Sequence, residues 1–126
     1  LLRPEQDWEG RSAAATGRRW NEGSFLLRQG GRYYMTYSAN CFAGPDYAVG
    51  YATAESPLGP FVKAAENPIL ERGGEVTGTG HSCLFRTRQG QLLICYHGRT
   101  AATGQDRVAF LSPAHFTAQG RLVVER

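Results

Sequence analysis

At 126 residues, 41% of them hydrophobic, the chain is long enough for one domain with its own core, a size that buries about two-thirds of the surface the unfolded chain exposes. The net charge of +3 comes from scattered arginines, with Lys63 the only lysine and Arg18-Arg19 the largest cluster. This excludes the basic stripe of a nucleic-acid interface, and no run of about eighteen apolar residues reads as a membrane span.

Residues 1–20 carry turn formers and no sustained period, and they read as a connecting segment. Beyond them apolar residues come in short runs rich in Tyr, Phe, Val, Leu and Ile, bounded by Gly, Pro, Asn and Asp, which is an all-β pattern. Strands are predicted at residues 24–28, 33–38, 47–53 and 61–63. A second set is predicted at 82–87, 91–96, 107–111 and 122–124. Tyr33, Tyr34, Tyr37 and Tyr51 alternate within the first set and are expected in the core.

Cys41, Cys83 and Cys95 have no C-x-x-C spacing, which argues against zinc or a redox pair. A three-residue hairpin loop at 88–90 would set Cys83 opposite Cys95, within disulfide reach but in a position where the bond is usually strained. Two buried free thiols are expected instead. Leu1 is no initiator methionine, and the run 121–126 stops within a predicted strand, so the chain reads as a fragment of a longer protein.

The two strand sets repeat. "GSFLLRQGGRYYMTYS" (residues 23–38) matches "HSCLFRTRQGQLLICYH" (81–97), with an offset of 58 at the start and 59 between Tyr37 and Tyr96. Four strands in a period of this length suggest a propeller blade, with one blade at 21–78 and the next at 79–126. In a propeller the innermost strands converge on the axis. The offset pairs Glu22 with Gly80 and Gly23 with His81, so Glu22 and His81 are expected at the mouth of one cavity.

The ordered pieces "RPEQDWE", "NEGSFLL", "GGRYYMTYSA", "DYAVGYATAESPLGPFVKAAENPIL", "GTGHSCLF", "LLICYHG" and "RVAFL" resemble the latter half of glycoside hydrolase family 43. These are five-bladed β-propeller enzymes that cleave arabinose- or xylose-containing glycans. The resemblance implies a partial five-bladed propeller: about two four-stranded antiparallel blades plus the end of a preceding one. It also implies inverting hydrolysis, in which a protonated carboxyl group and a carboxylate stand roughly 6.5–9.5 Å apart to admit a water. The family's proton donor is the glutamate of the N-E-G turn, matching Glu22. Its general base and a second aspartate lie on the first two blades, outside this chain, so the isolated chain is expected to be inactive.

By the same resemblance His81, Arg107 and Phe42 are substrate-binding candidates. No cofactor is expected to be required, although in some members the histidine matching His81 belongs to an axial calcium site held largely through water. Each residue also has a plainer reading. Glu22 suits an exposed turn, His81 a satisfied turn group, and Arg107 an ion pair with Asp106. Phe42, Tyr47 and Trp20 lie near the loops expected to rim the cavity and are candidate sugar platforms. Asn21 is expected to brace the turn through side-chain bonds to backbone. His97 and His115 have no assigned partner.

The expected partner is a plant-type polysaccharide or oligosaccharide, with no nucleic acid and no membrane. Self-association through open blade edges is expected as well. A secreted or periplasmic location is favoured over the cytoplasm. The competing functions are a non-catalytic carbohydrate-binding propeller remnant and a protein-interaction propeller without a sugar site.

Overall fold

The computed structural model describes residues 1–125. It is built of two four-stranded antiparallel sheets, each a meander in chain order. The first holds β1 (Asn21–Gln29), β2 (Arg32–Ala39), β3 (Ala48–Ala54) and β4 (Val62–Lys63). The second holds β5 (Thr77–Arg86), β6 (Leu92–Arg99), β7 (Val108–Phe116) and β8 (Leu122–Val124). All eight strands expected from the apolar runs are present. β7 runs past the expected end at 111 because Pro113 falls where the strand changes partners: Val108 to Pro113 pair with β6, and Ala114 to Phe116 with β8. A proline costs little at such a junction. Of the terminal run 121–126, Arg126 lies outside the described residues.

The repeat is structural. Phe25, Leu26 and Leu27 pair with Thr36, Met35 and Tyr34. Cys83, Leu84 and Phe85 pair with Cys95, Ile94 and Leu93, the same register carried over by the same offsets. Glu22 opposite Ser38 and Gly80 opposite His97 are likewise equivalent, and in each sheet the ladder shifts register immediately after that pair. The bulge is therefore a built-in feature of both innermost strands, and it re-aims the side chains beside it.

The two sheets pack face to face. Tyr34, Val49, Tyr51 and Leu70 meet Leu84, Leu92, Ile94, Tyr96, Ala114 and Leu122 in one cluster, each large apolar side chain contributing about 1.5–3 kcal/mol on burial. The tyrosines bring polar ends that find partners: the Tyr34 hydroxyl donates to the Gly120 carbonyl at 2.8 Å, and that of Tyr51 donates to Glu66. Tyr33 is an exception to the expected core set. It is only half-buried, and the Arg28 guanidinium lies 5.8 Å from its ring centroid.

The N-terminal segment is more than a connector. It forms a 3-10 turn (Asp7–Gly10) and a short helix, α1 (Ala13–Thr16). Trp8 is buried against Tyr37, with Ala39, Ala48 and Ala52 in the same cluster. Gly50 makes room for it, since a Cβ there would stand 2.6 Å from the indole. Beside Trp8, the Glu9 carboxylate is 1% exposed. It accepts from the Gln6 and Glu5 N–H groups at 2.7 and 2.6 Å and pairs with Lys63 on β4 at 2.5 Å.

The hairpin loop at 88–90 forms as expected and sets Cys83 opposite Cys95. Both thiols are free, but they are not buried: Cys83 is exposed and Cys95 half-buried. They lie on the face of the second sheet turned away from the first, which also carries the exposed Phe85 and Leu111.

Candidate active site

The bulge of β1 gives Glu22 its setting. Gly23 adopts a left-handed φ of 59°, and its structural equivalent His81 adopts φ 49°. The same backbone kink thus recurs in both blades, filled once by glycine and once by histidine. Left-handed backbone is unfavourable for a residue with a Cβ, so His81 needs other restraints. Its N–H donates to Ser38 Oγ at 2.9 Å, and its Nδ1 lies 2.9 Å from the Tyr47 hydroxyl. At Gly23 a side chain would be crowded as well as strained, since a Cβ there would meet the His81 ring at 3.0 Å.

Tyr47 joins the two expected residues. Its hydroxyl donates to Glu22 Oε1 at 2.7 Å while touching His81 Nδ1. Glu22 and His81, 59 positions apart in sequence, therefore share one hydroxyl. Tyr47 is fully buried and is not an exposed sugar platform. Its ring occupies the space that Gly80 leaves open, since a Cβ at Gly80 would fall 1.9 Å from it. Burial first, then the bond to Glu22 and that carboxylate's charge, push the phenol well above its ordinary range, so it keeps its proton.

His97 completes the cluster. Its ring stacks on Tyr47 and His81, with centroids 5.6 and 5.9 Å apart. Burial, then the positive charges of Arg107, His81 and Arg99, pull it down to about 4, against the opposing pull of Glu22. His97 is thus neutral near pH 7. A histidine with a depressed folded value destabilises the fold as it charges. Stability from this site is complete above about 6.5 and declines as pH falls from there toward 4. An NMR titration of the three histidines is expected to give one midpoint near 4, and His97→Asn should remove that resonance. A His97 midpoint near 6.5 would contradict the packing.

Arg107 and Phe42 come together, with the guanidinium 5.2 Å above the ring, a cation-π contact at an exposed site. Phe42 is 47% exposed. Sequence reasoning missed what holds them. Arg99, 6% exposed, donates from Nη2 to the Phe42 carbonyl and from Nε to the Gln105 carbonyl, so it clamps the two loops that carry the pair. A lone arginine at a strand end carries no signal of that role. His97 did carry one: the repeat matches it to Ser38, the neighbour of Glu22. Trp20, half-buried, directly precedes β1.

Asn21 does not brace the turn as expected. Both of its side-chain polar atoms are buried without a hydrogen-bond partner among the described residues. Its backbone pairs with Ala39 in the ladder, and the bulge rather than an amide bond bends the chain. Asn21 and Glu22 also line a cleft of about 210 Å³ with Leu1, Leu2, Ser24, Met35 and Tyr37. Among the described residues no group of three His, Cys, Asp or Glu could hold a metal ion. Calcium takes six to eight oxygens, and among the described residues His81 brings a single nitrogen, Nε2, its Nδ1 being engaged by Tyr47.

A carboxyl group held at one oxygen by a buried phenol that also touches one imidazole and stacks on a second is suited to proton transfer at a neutral polar ligand. The model of Glycosyl hydrolases family 43 matches residues 4–122. The chain is 31% identical to a beta-D-galactofuranosidase of Aspergillus niger, over 81% of this chain and 31% of that protein. It is 34% identical to an extracellular exo-alpha-(1->5)-L-arabinofuranosidase of Streptomyces chartreusis, over 79% and 30% respectively. The structure superposes on the crystal structure of an endo-1,4-beta-xylanase from Bacteroides thetaiotaomicron with a TM-score of 0.87 and 32% identity, covering 99% of this chain and 42% of that one. The chain thus spans about a third of the length of these curated relatives.

Proposed function

The chain belongs to glycosyl hydrolase family 43, and from that premise we propose that it is the acid-bearing part of an inverting glycoside hydrolase acting on arabinose- or xylose-containing glycans. Glu22 donates the proton to the departing glycosidic oxygen. The general base that activates water comes from outside residues 1–126. The chain is one catalytic unit in this reading, with residues 1–20 leading into a blade at 21–78 and another at 79–126.

The observation that carries the reading is the shared hydroxyl: Glu22, Tyr47 and His81 meet through contacts of 2.7 and 2.9 Å at equivalent bulges of two blades. His81 contacts the sugar from inside the cavity, and Arg107 with Phe42 contacts it from the rim, the forked guanidinium suiting vicinal hydroxyls. The activities of the arabinofuranosidase and the xylanase support the glycan class. That the arabinofuranosidase relative is extracellular supports a secreted protein.

The test is Glu22→Gln in the complete enzyme that carries this chain. Hydrolysis of an arabinan or xylan oligosaccharide should be lost while calorimetric binding of that oligosaccharide persists. Binding without hydrolysis in the wild type as well would select the carbohydrate-binding remnant instead. For residues 1–126 alone, the exposed Phe85 and Leu111 face is expected to associate. Sedimentation should show a mass that rises with concentration, reduced by Leu111→Lys, and a concentration-independent monomer would refute this.

A further inference from the structure

We propose that Tyr47 is a positioning residue that selects the working oxygen of Glu22: by holding Oε1 as an acceptor, it leaves the transferable proton on Oε2. The inference rests on the reading of Glu22 as the proton donor. A phenol carries one hydrogen. With that hydrogen given to Glu22 Oε1 at 2.7 Å, the 2.9 Å contact to His81 must run from Nδ1–H to the Tyr47 oxygen. One geometry therefore sets both the His81 tautomer and the protonated oxygen of Glu22.

Tyr47 is also held from moving. Its ring fills the space beside Gly80 and is stacked on His97, and its carbonyl accepts from Thr79 Oγ1 at 3.4 Å. In the step itself the Oε2 proton passes to the glycosidic oxygen as its bond to the anomeric carbon breaks, the bonding pair staying on that oxygen, while water on the opposite face bonds to that carbon and gives its proton to the base. Glu22 is left as a carboxylate, and the Tyr47 proton does not transfer. A hydrogen bond to a carboxylate is stronger than one to a neutral carboxyl group. The Tyr47 bond thus tightens as the proton leaves, which makes it an interaction gained in the transition state.

Tyr47→Phe in the complete enzyme keeps the ring and deletes the donor to Glu22; His81 Nδ1–H loses its acceptor with it, while the ring stacking on His97 is kept. On an oligosaccharide with an unactivated leaving group, kcat/KM should fall about 10- to 100-fold. A nitrophenyl glycoside should be little affected, because its leaving group needs little proton assistance. The alkaline limb of the pH profile should move to higher pH, since the bond that favoured the carboxylate is gone. Equal losses on both substrates with an unmoved limb, or no loss on either, would overturn the proposal.

If Tyr47→Phe fails to fold by circular dichroism, 3-fluorotyrosine placed at position 47 strengthens the donor and should move the alkaline limb to lower pH, and an unmoved limb overturns the proposal. The two readings fail separately. Full oligosaccharide cleavage by Glu22→Gln sinks the donor role and this inference with it, whereas an inactive Glu22→Gln beside a silent Tyr47→Phe sinks only this one.

Discussion

Glu22→Ala in the complete enzyme is expected to lower kcat/KM on an arabinan or xylan oligosaccharide by about 100- to 10,000-fold, the span that a positioned general acid contributes. A glycoside with a nitrophenolate leaving group should lose far less, because that oxygen departs without being protonated. The contrast between the two substrates carries the information. An equal loss on both would mean that Glu22 serves the fold or sugar binding and donates no proton. Residues 1–126 alone should show no turnover, since the proposed base lies elsewhere. Robust hydrolysis by the isolated chain would refute that placement of the base.

The largest stability effect is expected far from Glu22. Glu9→Ala should cost about 3–5 kcal/mol, the range for removing one partner of a buried ion pair. Lys63, with a side chain 7% exposed, would be left charged without its carboxylate. The Gln6 and Glu5 N–H groups would lose their acceptor too. Denaturant midpoints on the wild type and the variant measure this directly. Replacing both residues, Glu9→Ala with Lys63→Met, should cost less than Glu9→Ala alone, because no unpaired charge stays buried. A change within about 0.5 kcal/mol, as at an ordinary surface site, would mean that the N-terminal turn is not docked as described.

This pair has a pH dependence of definite sign. Burial pushes the Glu9 carboxyl up, but the Lys63 ammonium and the Glu5 and Gln6 N–H groups outweigh it and hold it below its ordinary value of 4.5. Its contribution is therefore present above pH 4.5 and is lost as pH falls through the lower folded value. His97 loses its contribution higher, between about 6.5 and 4. Acid unfolding should accordingly begin with His97 and be completed by Glu9. His97→Asn should flatten only the upper part of the curve.

Tyr47 shows where reading along the chain stopped. The sequence makes it a candidate platform because it opens a predicted strand near the loops expected to rim the cavity. Its fully buried position follows from Gly80, 33 positions away, which leaves the space its ring fills. Trp8, Glu9 and Lys63 are a similar case: the segment 1–20 has no period because it forms only a 3-10 turn and a four-residue helix, and its value lies in contacts with β2, β3 and β4. Asn21 and the exposed Cys83 fell outside expectation for a related reason. Alternation tells which residues share a face, but not whether a second layer covers that face or whether a side chain finds a partner.

The sequence by itself determined the eight strands, their grouping by four, and the repeat that brings Glu22 near His81. These follow from the two-residue alternation of a strand and from a register carried over unchanged between blades. Tertiary structure alone decided that Tyr47 joins Glu22 to His81, that His97 stays neutral, and that Arg99 clamps the Phe42 and Arg107 loops. Those outcomes depend on two bulges and the angle between two sheets, which set side-chain distances to within an ångström. Strand periodicity is a local property and carries no such distances.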